Sequence, residues 1–248
     1  MVKINSELLN CFYLLVIIGF ASAVIPDYIH VCKRNDPQFE KCLAESIENL
    51  RPKLKDGIPE LGVPSIEPLY IPEIVVIGRE NFHAVGKDVY VHNVSTVQIR
   101  DIKVDLPNQI YNVKIYLPEL NFDATYEVNG RILVIPLKGK GPLTAKATNI
   151  NADAVLKGKL YEKDGKEYLD FETLNLKLKI GDYEVHLENL FGGDKRLGEV
   201  TDQALNENRR EFIKALKPVV EDTTSDVLLK IAKEIVKNFS YDELFPTN

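Results

Sequence analysis

The segment Thr201 to Asn238, TDQALNENRREFIKALKPVVEDTTSDVLLKIAKEIVKN, carries the decision about the fold, because it keeps a helical period with almost no punctuation. As one helix it would run roughly 57 Å at ~1.5 Å per residue, far beyond the usual ~10 to 14 residues, so other elements must cover it. Ala204, Leu205, Phe212, Leu216, Val219, Val220 and Thr223 share one face at three- and four-residue spacing, with Glu207, Arg210, Lys214, Lys217 and Glu221 elsewhere. Beyond Thr223 the apolar set of Val227, Leu228, Ile231, Ile235 and Val236 turns to a different side. Pro218 lacks an N–H and its ring clashes with the preceding turn, which predicts a kink near Lys214 to Lys217. A single bent helix wrapped by something curved satisfies both observations. Two packed helices, one ending at Pro218, is the alternative. Asn208 falls on the stripe between Ala204 and Phe212, so its amide must be bonded if buried, either to the chain and sheet or to a ligand's carbonyl or hydroxyl.

Upstream, Ile74 to about Leu190 reads as strand throughout. Leu174, Leu176, Leu178 and Ile180 alternate with Asn175, Lys177 and Lys179, and Gly181-Asp182 reads as a hairpin turn into Tyr183, Val185 and Leu187. Asn129-Gly130 and Asp164-Gly165 read as two more tight turns, and Gly139-Lys140-Gly141-Pro142 as a break. Consecutive hairpins imply an antiparallel meander. The expected architecture is α+β: a strongly curved antiparallel sheet around the long C-terminal helix, each burying the other's apolar face. Such a roll need not fill its interior. Ala145, Ala147, Ala152, Ala154 and Gly158 on the strands leave volume near the core, or simply permit tight packing.

Residues 1–23 carry a lone Lys3, a short apolar run from Cys11 to Phe20 and a small-residue end, Ala21-Ser22-Ala23. That is the pattern of a cleaved signal peptide, too short for a membrane span, so a secreted, extracellular chain without stable membrane insertion is expected, with 24–248 as one domain. Cys32 and Cys42 are then the only cysteines of the mature chain, and an oxidising compartment pairs them in a disulfide. Asp36 as N-cap and Pro37 at N1 open a helix whose Phe39, Leu43, Ile47, Leu50 and Leu54 share a face, with Gly57 as its stop. Pro59, Pro64, Pro68 and Pro72 make an extended connector after it.

A net charge of −6 argues against nucleic acid or anionic membrane as partner. Asn93-Val94-Ser95 and Asn238-Phe239-Ser240 are glycosylation sequons. The four histidines, His30, His83, His92 and His186, are scattered. No HExxH, GxSxG or phosphate-cradling loop is present, so no enzyme, metal or cofactor is expected. Glu221-Asp222 reads as a carboxylate pair on a solvated helix face. The sequence favours a binding protein, expected to be a monomer whose receptor no motif identifies. The competing class is an interaction protein acting through its acidic exterior, its interior filled by side chains. A lipocalin fits less well, since the chain has no Trp and its helix is too long.

Pro26-Asp27-Tyr28-Ile29 before Cys32, Cys42-Leu43, Gly57-Ile58-Pro59-Glu60-Leu61-Gly62 and Pro68 come first in a series of short motifs. Tyr126, Gly130-Arg131-Ile132-Leu133, Gly139-Lys140-Gly141, Leu190-Phe191-Gly192-Gly193-Asp194-Lys195, Leu205-Asn206-Glu207-Asn208 and Leu244-Phe245-Pro246 continue it. In order and spacing these resemble the insect takeout and juvenile hormone binding protein family over essentially the whole mature chain. The resemblance implies a long helix in a curved sheet enclosing a hydrophobic tunnel, and a secreted carrier of a small lipophilic ligand such as a terpenoid, fatty acid or other lipid. It maps the family's paired cysteines onto Cys32 and Cys42, and links such proteins to circadian, feeding or chemosensory physiology. Leu205, Asn208, Phe212, Leu216, Val219, Val220 and Tyr126 are the residues expected to line the tunnel.

Overall fold

The computed structural model describes residues 25–77, 82–132 and 135–247; the leader expected at 1–23 lies outside them. Helix α1 (Phe39–Asp56) is followed by strands β1 (Leu69–Ile77), β2 (His83–His92), β3 (Gln98–Asp105), β4 (Ile110–Ile132), β5 (Ile135–Lys163), β6 (Lys166–Lys179) and β7 (Asp182–Leu187). Helices α2 (Lys195–Glu207), α3 (Arg209–Val236) and the single turn α4 (Tyr241–Leu244) complete the described chain. The spine is the pair β4 and β5, of 23 and 29 residues, antiparallel in constant register from Ile110↔Lys157 to Ile132↔Ile135. Strands usually span ~3 to 10 residues, and a ladder this long with native twist must coil. On the β4 flank β3 pairs with residues 110–116 and β2 with 121–129, β1 lying outside β2. On the β5 flank β7 pairs with 143–148 and β6 with 151–163.

Several expected turns are absent. Asn129-Gly130 lies inside β4 and Gly139–Pro142 inside β5. Gly181-Asp182 is no hairpin, because β6 and β7 both pair with β5 rather than with each other. The Gly181 N–H bonds the Thr148 and Asn149 carbonyls, and a Cβ there would sit 2.7 Å from Asn149 Cβ. At Gly141 a Cβ would fall 2.5 Å from the Glu188 carbonyl oxygen. These glycines mark close passes of backbone rather than reversals. Asp164-Gly165 is the turn the sequence announces, with φ of 53° and 74°.

The spine changes face once. Inward residues of β4 are odd-numbered as far as Leu117 and even-numbered at Tyr126, Val128 and Ile132; β5 switches in step between Ala147 and Ile150. At the switch sit Pro118, which has no N–H to give the ladder, and Asn149, whose φ is 53°. The Tyr116 hydroxyl donates to Asn149 Oδ1 at 3.0 Å across it.

Polar side chains of the helices satisfy the free strand edges, which would otherwise be templates for aggregation. Glu40 accepts the Val104 N–H at 3.1 Å, and Arg51 donates to the Val97 carbonyl at 2.7 Å, so α1 covers the β3 flank. Asn206 of α2 accepts from the Val185 N–H and donates to the Val185 carbonyl, at 3.1 and 2.9 Å, which closes β7. On α3, Glu221 Oε1 accepts the Leu178 N–H at 2.7 Å and Ser225 Oγ the Leu176 N–H at 3.2 Å, closing β6. Glu221 is therefore not on a solvated face: it is 5% exposed, against the sequence expectation.

The long C-terminal segment is two helices rather than one, and the interruption is at Asn208 (φ −98°, ψ 27°), not at Pro218, which lies within α3. The break is only one residue wide, since the Asn208 N–H still bonds the Ala204 carbonyl and the Phe212 N–H the Asn208 carbonyl, both at 3.1 Å. Helix α3 packs on β6 and reaches β1, closing the open side of the curled sheet. Helix α1 starts at Phe39, two residues later than expected, with the Asp36 carboxylate accepting the Gln38 N–H in the turn before it. Cys32 and Cys42 form a disulfide that ties the N-terminal segment to α1. Pro72 falls within β1 and is tolerated because β1 is an edge strand.

Candidate functional site

Two clusters of buried side chains occupy the two ends of the molecule. One gathers Phe39, Leu50, Val89, Tyr111, Phe171 and Ile231 with the C-terminal Phe239 and Phe245. The other gathers Tyr126, Leu137, Ile150, Tyr183, Leu205 and Phe212. Leu120 and Phe122, at the bend of the spine, touch both clusters and are only half-buried.

Positions 212, 216, 220, 223, 227 and 231 lie on one face of α3 by their three- and four-residue spacing. Phe212 and Ile231 at its ends are each 8% exposed, whereas Leu216, Val220, Thr223 and Val227 between them are half-buried. β4 repeats the pattern: Leu117 and Tyr126 are buried, and Leu120, Phe122 and Ala124 between them are not fully so. Facing residues on β5 are small, Ala145 opposite Phe122 and Ala147 opposite Leu120, with Ala154 opposite Val113 further along. The middle of the α3 face and the matching stretch of β4 are thus less completely buried than their ends.

Of the expected lining residues, Leu205 is fully buried and Phe212 stacks on Tyr183, ring centroids 5.9 Å apart. Leu216 and Val220 lie on the half-buried face, with Val219 flanking it. Tyr126 is buried, but its hydroxyl donates to the Glu188 carbonyl at 2.7 Å, and burial, with Asp202 and Glu188 nearby, pushes its pKa up to about 12. Asn208 is exposed and donates to the Ala204 carbonyl at 2.7 Å, closing its own helix end rather than facing the interior. Asn93 adopts a left-handed φ of 68°, while Ser95 of its sequon donates to the Glu67 carboxylate at 2.9 Å. Asn238 is exposed, and Ser240 of its sequon caps α4.

His92 and His186 sit beside Asp123 and Asp202, the first half-buried and the second exposed. His30 lies beside Cys32 and Cys42, whose sulfurs are tied in the disulfide and offer a metal no thiolate. Two hollows of about 530 and 380 Å³ open to solvent along the β4–β5 ladder, one lined by Asn129, Arg131, Leu137 and Phe191, the other by Val85, Lys87, Glu127 and Lys140. Their walls mix charged and apolar side chains, unlike the mainly apolar lining expected of a site for a lipophilic molecule. No sequence motif singles out Leu120 or Phe122, and Tyr183 enters the sequence pattern only as the first residue of the strand after Gly181-Asp182. The apolar alternation of 120, 122 and 124 was the available signal.

The family model described as haemolymph juvenile hormone binding protein matches residues 11–246. The circadian clock-controlled protein daywake of Drosophila melanogaster is 25% identical over 236 residues, 91% of this chain and 90% of that one. A Schistocerca gregaria protein named as a candidate beta-carotene-binding protein is 24% identical, over 88% of each chain. The crystal structure of Epiphyas postvittana Takeout 1 superposes with a TM-score of 0.78 at 22% identity, covering 88% of this chain and 99% of that one. It carries the same curled sheet and C-terminal helices. With a family model matched over nearly its whole length and the fold in agreement, the chain belongs to the haemolymph juvenile hormone binding protein family.

Proposed function

We propose that this protein is a secreted monomeric carrier that holds one small apolar molecule, a terpenoid, fatty acyl chain or other lipid, between its two buried clusters. The observation that carries this reading is the α3 face, buried at Phe212 and Ile231 and half-buried at Leu216, Val220, Thr223 and Val227. Apolar side chains held inside a closed roll without full contact gain when an apolar guest takes up the remaining surface. Each methylene removed from water contributes ~0.8 kcal/mol, so roughly ten offset the ~8 kcal/mol of a micromolar Kd before ordering costs. Burial rather than charge then supplies the affinity, and several ligands of similar length are accepted. The names of the relatives, one a candidate beta-carotene binder and one clock-controlled, support a lipophilic ligand and a circadian setting. The chain enters the secretory pathway by its leader, cleaved after Ala23, and carries glycans at Asn93 and Asn238.

The test is organic extraction of protein purified from insect-cell medium, with mass spectrometry of the extract and displacement of N-phenyl-1-naphthylamine by terpenoids and fatty acids. A co-purifying lipid and micromolar probe binding are expected. An empty extract together with no probe binding overturns the carrier reading in favour of a protein that acts through its surface.

A further inference from the structure

Among the described residues, one buried side-chain polar atom has no hydrogen-bond partner: the hydroxyl oxygen of Tyr183. The residue is 7% exposed, on the inward face of β7, where it is paired with Ala147 of β5. Its ring stacks on Phe212, the first residue of the α3 face described above. Two other buried tyrosines are provided for, Tyr126 in the same cluster by the Glu188 carbonyl and Tyr111 in the other cluster by Gln109 Oε1 at 2.9 Å. Leaving a buried hydroxyl unpaired costs ~1 to 3 kcal/mol, and a phenylalanine would fill the same space without that cost.

We propose that the Tyr183 hydroxyl anchors the polar end of the bound molecule, donating a hydrogen bond to an uncharged oxygen acceptor, a carbonyl, ester or ether, on an otherwise apolar ligand. This rests on the carrier reading and specifies the chemistry of its ligand. Burial keeps the phenol protonated, raising its pKa well above the ordinary tyrosine range, so the proton is retained for donation. A neutral acceptor fits better than a carboxylate. The cation beside Tyr183, Arg209, is held by Asp182 at 2.8 Å, and Glu211 also faces this end, so a buried anion would lack a free counter-charge. The ligand therefore lies with its oxygen near the α2–α3 junction and its hydrocarbon along α3 toward Val227.

The experiment uses the mature chain and two competitors of equal length, a long-chain methyl ketone and the corresponding alkane, each displacing N-phenyl-1-naphthylamine. Wild type is expected to prefer the ketone, and Tyr183→Phe to lose about tenfold in ketone affinity with none lost for the alkane, while melting no lower than wild type. Tyr111→Phe, the same chemical change in the other cluster, should leave the ketone-to-alkane ratio where it was. An unchanged ratio in Tyr183→Phe, with both competitors still binding, overturns the anchor and leaves the carrier reading standing. Failure of wild type to bind the probe and both competitors overturns both.

Discussion

Replacing Glu221 by alanine tests whether α3 is fixed to the sheet by closing the β6 edge. The carboxylate accepts the Leu178 N–H at 2.7 Å, meets Lys177 Nζ at 3.2 Å and Lys217 Nζ at 3.6 Å, and is 5% exposed. Alanine leaves the half-buried Leu178 amide without its acceptor, a loss of about 2 to 3 kcal/mol for a charge-assisted bond. The two lysine partners are themselves well exposed, and their contribution is screened to under about 1 kcal/mol. For a domain of this size the unfolding entropy converts the total to a fall in Tm of about 4 to 8 °C. Glu221→Gln keeps an oxygen for Leu178 and should lose only about 1 kcal/mol. Burial by itself would raise the Glu221 pKa; the Leu178 amide and the two lysines outweigh it and hold the carboxyl below its ordinary value. A lowered folded pKa means this stabilisation is complete above the unfolded value of about 4.3 and is lost as pH falls through the folded one. The gap between wild type and Glu221→Gln should therefore be constant near neutrality and close in acid. Differential scanning calorimetry at several pH values reads all of this. If Glu221→Ala costs no more than Asp222→Ala on the exposed side, the edge-closing argument is wrong.

Leu216→Asp should be poorly secreted, because it places an unpaired charge on the inner face of α3; secretion equal to that of Lys214→Asp, on the exposed side, would mean the face is misassigned. Lys217→Asp, silent if Glu221 were solvated, should instead cost about 0.5 kcal/mol because it sets an acid beside Glu221. Cys32→Ser with Cys42→Ser removes a short cross-link and should cost about 2 to 3 kcal/mol by urea titration, with wild-type thiols resisting alkylation until reduced.

Much of this architecture can be read from residue patterns. The amphipathic stripe through Leu205, Phe212 and Leu216 and the alternation at 174–180 lead to a curled sheet with a long helical closure. What stays hidden has a physical cause in each case. Asn129-Gly130 has the composition of a turn, yet the ladder of β4 with β5 runs through it, because tertiary pairing overrides a local turn preference. Gly139, Gly141 and Gly181 look like punctuation because a glycine allowing close approach and one allowing a reversal are the same letter. Glu221 follows the helical pattern of a solvated residue, and only the open edge of β6 beside it explains its burial. Asn208 lies on the stripe by periodicity but sits where the helix breaks, so its amide closes a helix end instead of meeting a ligand. Tyr183 alternates with Val185 and Leu187, which is compatible with an inward side chain; that its hydroxyl lacks a partner depends on what surrounds it in three dimensions.

If a ligand occupies the space beside the half-buried middle of α3, native mass spectrometry of the mature protein detects it as bound mass. Val220 lies at the centre of the α3 face, and a tryptophan there would occupy the space assigned to the guest. Wild type should carry one apolar molecule per chain, lost on solvent extraction and regained with added lipid. Val220→Trp should fold with a Tm close to that of extracted wild type and carry none. Equal ligand occupancy in the two proteins would place the ligand elsewhere, and a collapse in Tm on substitution would mean that side chains already fill the interior.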